Sequence, residues 1–159
     1  MMERVDLIIN HPDFIRIITK LKKVEKNREF CIHDLEHLLN VARIMMIKNL
    51  EENLGFEKEI IYATALLHDI GKLHQYKTKE KHAPYGAILA AGILRDCRFN
   101  EAETAMMAQA IKTHSDDEAT NPLGELLRTS DKLSRNCFLC PARDKCNWDD
   151  KKKNKGVTI

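Results

Sequence analysis

The sequence has few residues that interrupt helices and no long apolar run. It contains 6 glycines and 4 prolines in 159 residues, and no segment alternates apolar and polar side chains as a strand would. The longest apolar run, Ala87 to Leu94, is much shorter than the roughly 20 residues needed to cross a bilayer. We therefore expect an all-α fold and no membrane partner.

Two further absences concern location and partners. The start, Met1 to Asp6, lacks the apolar core of a secretory signal, which predicts a cytoplasmic protein. In a reducing compartment the 5 cysteines are expected as thiols or metal ligands rather than disulfides. The 26 basic and 24 acidic residues nearly cancel, so nucleic acid is not an expected partner.

Apolar side chains recur at helical spacing along most of the chain, which predicts a compact bundle of about six to seven helices. The charged segment from Lys22 to Arg28 is interpreted as a solvated helix end. Segments 75–81 and 116–121 are interpreted as loops. Because the composition then changes abruptly, we divide the chain into a helical domain, residues 1–135, and a Cys-rich and Lys-rich tail, residues 136–159.

The most informative stretch is Ala65-Leu66-Leu67-His68-Asp69-Ile70-Gly71-Lys72, where an apolar helix leads into an imidazole and a carboxylate. Adjacent side chains on a helix point about 100° apart, so both can reach one ion only where the helix ends. We expect Gly71 to end the helix by adopting a positive φ.

Several more histidines and an aspartate fall at predicted helix ends or on apolar faces. A lone histidine there is more often a core residue with a satisfied hydrogen bond, but so many buried polar groups need partners, and a shared metal would supply them. Imidazoles with carboxylates suit one or two divalent ions, with Fe, Mn, Ni, Co, Zn and Mg all open. The candidate ligands are His37, His68, Asp69 and Asp131 for a first ion, with His82 and His114 for a second that Asp69 would bridge.

These residues resemble the H…HD…D pattern of the HD-domain metal-dependent phosphohydrolase superfamily. The resemblance implies a helical bundle of the HD-domain type and a phosphohydrolase that acts on a nucleotide or a related phosphoester or phosphoanhydride. The implied reaction is attack of a metal hydroxide on phosphorus. The matching stretches, in the family's order, are His37-Leu38-Leu39-Asn40-Val41, Leu67-His68-Asp69-Ile70-Gly71-Lys72, His82-Ala83-Pro84-Tyr85-Gly86-Ala87 and Ser130-Asp131-Lys132.

His82 and His114 resemble the additional histidines of the dinuclear branches of that superfamily. Those branches include the symmetrical diadenosine tetraphosphate hydrolases and the HD-GYP cyclic dinucleotide phosphodiesterases. The GYP motif is missing after His114, where Ser115-Asp116-Asp117-Glu118 stands. A cyclic-di-GMP substrate is therefore not expected.

Catalytic roles are assigned to His33, Asp69 and Lys72. His33 lies one helical turn before His37 if both are helical. This spacing resembles the histidine pair of cyclic nucleotide phosphodiesterases, in which the first histidine protonates the leaving oxygen. The alternative for His33 is a water-exposed histidine at a helix start. Lys72, Lys132 and Arg135 are candidate substrate-binding cations, because a positive charge suits phosphate, and the alternative for each is a solvated surface residue.

The tail carries a separate pattern, Cys137-x-x-Cys140 followed by Cys146. Three thiolates could hold zinc or an iron–sulfur cluster. Cys31 is a candidate fourth ligand and Cys97 a weaker one. The alternative is a set of reduced cysteines that pack with their apolar neighbours.

Two other classes of function stay open. One is a dinuclear iron oxygenase on the same fold. The other is a non-catalytic module that binds a nucleotide or senses redox state. For the leading hypothesis the expected partner is a small phosphorylated substrate, a nucleotide first, and homo-oligomerisation stays open.

Overall fold

The computed structural model describes residues 1–116, 121–157 and 159, and every regular element in these ranges is helical, which confirms the all-α prediction. The described part holds eight α-helices rather than six to seven, because two short helices, α1 and α5, were not predicted. Two 3-10 turns follow the last helix. The helices are α1 (Glu3–Ile9), α2 (Pro12–Val24), α3 (Leu35–Glu51), α4 (Lys58–Leu67), α5 (Lys72–Thr78), α6 (His82–Asp96), α7 (Glu101–Thr113) and α8 (Pro122–Leu133), and the turns are Cys137–Leu139 and Arg143–Lys145.

Helix α4 lies at the centre of the bundle. Its side chains are almost all buried, and it contacts α1, α3, α6, α7 and α8. A helix that is apolar on every side must be covered on every side. The residues that follow it, His68 and Asp69, are therefore held inside the protein, with 0% and 2% of their surface exposed.

Side chains at the helix starts fix where the surrounding helices begin. Asp34 precedes α3 and accepts a hydrogen bond from the amide of His37 at 2.9 Å. Asn121 precedes α8 and accepts one from the amide of Gly124 at 2.7 Å. Both are N-caps that satisfy free amides of the first helical turn. Their effect is to fix the first turn of α3, which carries His37, and the start of α8, which carries Asp131.

Gly71 does not have the expected positive φ, since its φ is −74°. That part of the prediction is wrong, although the helix does end before His68. Glycine is needed at position 71 for a different reason. A Cβ there would lie 2.1 Å from the carbonyl oxygen of His82 and 2.8 Å from the amide nitrogen of Gly86. The missing side chain lets the start of α6 pack directly against the turn that carries Asp69.

The two predicted loops have different outcomes. Segment 75–81 is helical as far as Thr78, at the end of α5, so its assignment as a loop is wrong for these residues. His74 in this helix stacks on Tyr85 of α6, with ring centroids 3.8 Å apart. In the other segment, residues 117–120 lie outside the described residues.

The tail folds back onto the end of α8. The side-chain amide of Asn154 donates hydrogen bonds to the carbonyl oxygens of Lys132 and Arg135, both at 2.7 Å. These carbonyls belong to the C-terminal end of the helix, where intrahelical partners are absent. Among the described residues, no helix has both the length and the apolar character needed to cross a membrane.

Candidate metal centre

Five helices bring their ends or inward faces to one buried point. His37 comes from the first turn of α3, His68 and Asp69 follow α4, and His82 begins α6. His114 follows α7, and Asp131 lies near the end of α8. All six predicted ligand residues therefore meet in one cluster, as the ion-pair distances below show.

The Asp69 carboxylate lies between two groups of histidines. Its Oδ2 is 3.0 Å from Nε2 of His68 and 3.6 Å from Nε2 of His37. Its Oδ1 is 3.2 Å from Nε2 of His82 and 3.7 Å from Nε2 of His114. In each group the candidate ligand atoms lie within 4.8 Å of one another. The two groups could therefore hold two neighbouring ions with one shared carboxylate.

Asp131 approaches the first group from α8. Its Oδ1 is 3.2 Å from Nε2 of His37 and 3.9 Å from Nε2 of His68. Burial raises the pKa of Asp131, but the hydrogen bond with His37 and the charge of Arg135 outweigh burial and hold the pKa well below its usual range. Asp131 is therefore an ionised carboxylate at neutral pH.

The donor chemistry fits divalent metal ions. Nδ1 of His68 lies 2.7 Å from the carbonyl oxygen of Ala65, and Nδ1 of His114 lies 2.7 Å from that of Ile111. A carbonyl only accepts, so each Nδ1 carries a proton, and the form of each ring that binds a metal presents a lone pair on Nε2. Within the described residues, the buried atoms His68 Nε2 and Asp69 Oδ1 have no hydrogen-bond partner. Buried atoms without partners are costly, and a bound cation would satisfy them.

The second group shows the same need for a cation. Nε2 of His82 lies 3.2 Å from Nε2 of His114. Burial lowers the pKa of His82 to about 4, so its ring is neutral at neutral pH. Burial raises the pKa of Asp69, but the facing imidazoles outweigh this effect and hold its pKa well below the usual range. The group thus offers two nitrogen atoms beside an ionised oxygen.

His33 is buried, with 5% of its surface exposed, so its interpretation as a water-exposed histidine is wrong. It precedes α3, which begins at Leu35, and so it does not occupy the helical turn that the sequence suggested. Its Nε2 nevertheless lies 3.9 Å from Oδ2 of Asp69. Burial lowers the pKa of His33, while Asp69 and Glu25 act in the opposite direction. The predicted general acid thus faces the cluster, but from the segment before α3 and not from a turn of that helix.

Glu25 holds His33 in place, and sequence reasoning missed it. Its Oε2 accepts a hydrogen bond from the backbone amide of His33 at 2.7 Å, and its Oε1 accepts one from Nδ1 of His33 at 2.6 Å. The hydroxyl of Tyr76 also donates to Oε1. Glu25 is 5% exposed, so the segment from Lys22 to Arg28 is not uniformly solvated as predicted. Phe14, Ile17 and Leu21 form the buried face of α2, and Glu25 follows Leu21 at the same helical spacing. This spacing is the sequence signal that places Glu25 on the buried face.

The three predicted substrate-binding cations lie in different surroundings. Nζ of Lys72 is 3.9 Å from Oδ1 of Asp69. The Arg135 guanidinium donates to Oδ1 of Asp131 at 3.1 Å and lies 3.0 Å from Nε2 of His37. Lys132 is exposed, and its positive charge helps to lower the pKa of Glu125 on the same helix. The fold therefore brings Lys72 and Arg135, but not Lys132, to the centre.

The cysteines are all free thiols. Among the described residues they are absent from the groups whose ligand atoms lie within 4.8 Å of one another. Cys97 is buried at the end of α6 and belongs to the hydrophobic core. The sulfur atoms therefore do not form a group as close as the two His/Asp groups.

Comparison with known families matches residues 34–139 to the family model described as HD domain. A solved structure, described as a predicted HD superfamily hydrolase from an uncultured Thermotogales bacterium, superposes with a TM-score of 0.67. The two chains are 22% identical, and the superposition covers 90% of this chain and 80% of that one. This likeness shows the fold.

Two curated relatives differ in how much of their length is matched. A protein of Clostridium beijerinckii, named only as uncharacterized, is 46% identical over 153 residues, which cover 96% of this chain and 97% of the relative. Ribonuclease Y of Pelobacter propionicus is 32% identical over 125 residues, which cover 78% of this chain. This chain spans only 22% of the length of that ribonuclease.

Proposed function

The chain belongs to the HD domain family, and on that premise we propose that it is a metal-dependent phosphohydrolase that cleaves a nucleotide or a related phosphoester or phosphoanhydride. The observation that carries the proposal is the position of Asp69. Its two carboxylate oxygens face two separate groups of buried histidines. Divalent ions held by such groups lower the pKa of a bound water and polarise phosphoryl oxygens.

Two cations of the chain support binding of an anionic substrate. Lys72 and Arg135 lie beside the two carboxylates of the cluster, Asp69 and Asp131. The planar guanidinium of Arg135 can pair with two phosphoryl oxygens at once, while Lys72 supplies a compact positive charge. These groups would orient the phosphoryl group and offset its negative charge.

His33 is the proposed general acid. The Glu25 carboxylate only accepts hydrogen bonds, so Nδ1 of His33 carries a proton and Nε2 faces Asp69. When Nε2 is protonated as well, that second proton would be available to a leaving oxygen near the cluster. Glu25 fixes the ring orientation, as a carboxylate does in other acid–base pairs. The ring is also held by its own backbone amide, which donates to the same glutamate.

The test combines elemental analysis with a substrate panel. Protein purified without oxygen is analysed for metals and then assayed with the metals found against nucleoside phosphates, dinucleoside polyphosphates and simple phosphomonoesters and diesters. We expect metal-dependent release of phosphate or nucleotide that is lost in Asp69→Asn. The matched control is Glu103→Gln, which alters a carboxylate outside the cluster and should retain turnover.

Three outcomes would contradict this proposal. Equal metal content and turnover in Asp69→Asn would remove the assigned site. Oxygen consumption with an organic substrate, in the absence of phosphoester cleavage, would favour an oxygenase. Stoichiometric nucleotide binding without product would favour a binding module.

An RNA phosphodiester is a second candidate substrate. Relatives named ribonuclease Y, from Enterococcus faecalis and Pelobacter propionicus, are 30% and 32% identical to this chain. The chain spans 22% of the length of each, so the likeness concerns one part of those proteins. A short RNA oligomer belongs in the panel, and its cleavage in preference to mononucleotides would select this candidate.

A further inference from the structure

The three tail cysteines lie on consecutive tight turns. The amide of Cys140 donates to the carbonyl of Cys137 at 3.3 Å, and the amide of Arg143 donates to that of Cys140 at 3.1 Å. The amide of Cys146 then donates to the carbonyl of Arg143 at 3.3 Å. Short turns of this kind keep three thiols within one small region of chain, as a chelating loop requires.

A fourth thiol, Cys31, is brought to the same region by contacts on both sides. Nζ of Lys145 lies 2.6 Å from Oε1 of Glu29, and the guanidinium of Arg135 donates to the carbonyl of Ile32 at 3.3 Å. Glu29 and Ile32 flank Cys31, while Arg135 and Lys145 lie close to tail cysteines along the chain. The segment before α3 and the tail are therefore in contact on both sides of Cys31.

The fifth cysteine lies elsewhere. Cys97 is buried in the hydrophobic core at the end of α6. The fold therefore separates the four cysteines of this region from a fifth in the core.

Three arginine side chains contact the backbone around these cysteines. The guanidinium of Arg28 donates to the carbonyl of Cys31 at 2.8 Å, and that of Arg143 donates to the carbonyl of Cys137 at 3.2 Å. The guanidinium of Arg135 donates to the carbonyl of Ile32, the residue after Cys31. Four thiolates around a divalent ion carry a net negative charge, and these cations would offset it.

The tail also has little else to stabilise it. Among its described residues only Cys137 and Ala142 are buried, and its regular structure consists of two three-residue turns. So small a buried area cannot by itself order a segment of this length against its conformational entropy. A metal ion that crosslinks the segment would supply that free energy directly.

We propose that Cys31, Cys137, Cys140 and Cys146 bind a single zinc ion in a structural site, separate from the His/Asp centre, that ties the tail to the segment carrying His33. Zinc holds each sulfur at about 2.3 Å in such sites, so binding would draw the four thiols closer than the structure places them. Zinc needs no inorganic sulfide, whereas a cluster would. The site would also fix two groups of the His/Asp centre, since His33 and Arg135 each lie two residues from one of its cysteines.

The first experiment uses the full chain with the Asp69→Asn substitution, which removes the main bridging ligand of the other centre. Cobalt replaces zinc and serves as the spectroscopic probe. We expect intense sulfur-to-cobalt charge-transfer absorption, which ligands of imidazole and carboxylate cannot produce. Cys146→Ser should weaken this absorption because one Co–S bond is lost, and the matched control Cys97→Ala should keep it in full. Equal spectra in the two cysteine variants would overturn the proposal.

A second experiment uses the unsubstituted chain, so it does not depend on the folding of any variant. A thiol reagent that displaces zinc is added stepwise while free zinc is followed with a colorimetric chelator. We expect one zinc ion to appear as the tail thiols react, with the His/Asp centre emptied beforehand by a mild chelator. Reaction of these thiols without release of zinc, or iron with acid-labile sulfide in the isolated protein, would overturn it. Neither result bears on phosphoester cleavage, so failure here is distinct from failure of the proposed activity.

Discussion

Two charged clusters in this molecule differ in whether their polar atoms have hydrogen-bond partners. In the first, Arg4 donates to both carboxylate oxygens of Glu59, at 2.9 and 2.6 Å, and to both of Glu103, at 2.8 and 3.0 Å. In the second, the His/Asp centre, the buried atoms His68 Nε2 and Asp69 Oδ1 have no such partner among the described residues. In the first cluster the charged groups pair with one another, whereas in the second two buried atoms keep lone pairs that no hydrogen-bond donor occupies.

The difference separates a structural cluster from a binding one. Polar groups that join helices satisfy each other and need nothing further. Polar groups that remain unsatisfied in a buried position cost free energy, which the rest of the fold must offset. Such a cost is expected where a ligand completes the set.

The largest effect is expected for Asp69→Asn. The variant removes the charge that both histidine groups share, so both ions should bind poorly. Metal ions supply several kcal/mol of transition-state stabilisation, and each 1.4 kcal/mol is tenfold in rate, so we expect turnover to fall roughly a thousandfold or more. Steady-state kinetics and elemental analysis of the same preparation provide the measurement. An Asp69→Asn enzyme with normal turnover would show that the unsatisfied atoms serve another purpose.

Glu25→Gln should have a smaller and more selective effect. The amide keeps the shape of the side chain but weakens its hold on the proton of His33, so we expect a loss of roughly tenfold to a hundredfold. The loss should be greatest for substrates with poor leaving groups, because these need the acid most. The measurement is the ratio of kcat for an alkyl and a nitrophenyl phosphoester, with Tyr76→Phe as the milder variant. An equal loss of kcat for both substrates would show that Glu25 has only a structural role.

Gly71→Ala should disturb the second histidine group through the backbone. A Cβ at position 71 would overlap the carbonyl of His82, and overpacking of this kind costs about 1 to 3 kcal/mol. Gly92→Ala, in helix α6, is the matched control, since a Cβ there meets nothing within 4 Å. Urea unfolding should show a loss for the first variant and a gain of about 0.5 to 1 kcal/mol for the control. Similar stability of both would mean that the close contact is easily relaxed.

The smallest effect is expected in the structural cluster. Arg4→Met should lower the free energy of unfolding by about 1 kcal/mol and leave turnover unchanged. Partial burial raises the pKa of Glu59 and of Glu103, but Arg4 outweighs it, so both pKa values lie below their usual range. Their contribution is therefore present above the unfolded value of about 4.3 and is lost as the pH falls through the lowered pKa. Urea midpoints between neutral and acidic pH should fall less steeply in Arg4→Met, and parallel curves would show that this cluster does not set the acid response.

The residues of the His/Asp centre could be predicted from the sequence, whereas the Arg4 cluster could not. The six candidate ligands were found because histidines and aspartates at helix ends are unusual, and the fold does bring them together. The long helices were found from their apolar spacing and from Pro12, Asn121 and similar starts. The short helices α1 and α5 were missed, because seven residues hold too few turns for a clear periodicity.

The errors have a common physical origin, which is contact between segments distant in sequence. Glu25 was interpreted as solvated because its neighbours are charged, and only the return of the chain at His33 buries it. The sequence predicts a local role for Gly71 as a helix stop, whereas glycine is needed there because the backbones of His82 and Gly86 pack against it. Local patterns indicate which residues are costly to bury, but not which distant backbone covers them.

The contact at Gly71 also bears on how this protein can diverge or be redesigned. The approach of the turn that carries Asp69 to the start of α6 is limited there by contact between main-chain atoms. Substitutions on the outer faces of α5 and α6 can therefore accumulate without changing the spacing of the two candidate ion sites. A designer who wants a different spacing must move a whole helix, because no single side chain near this contact can be adjusted to do so.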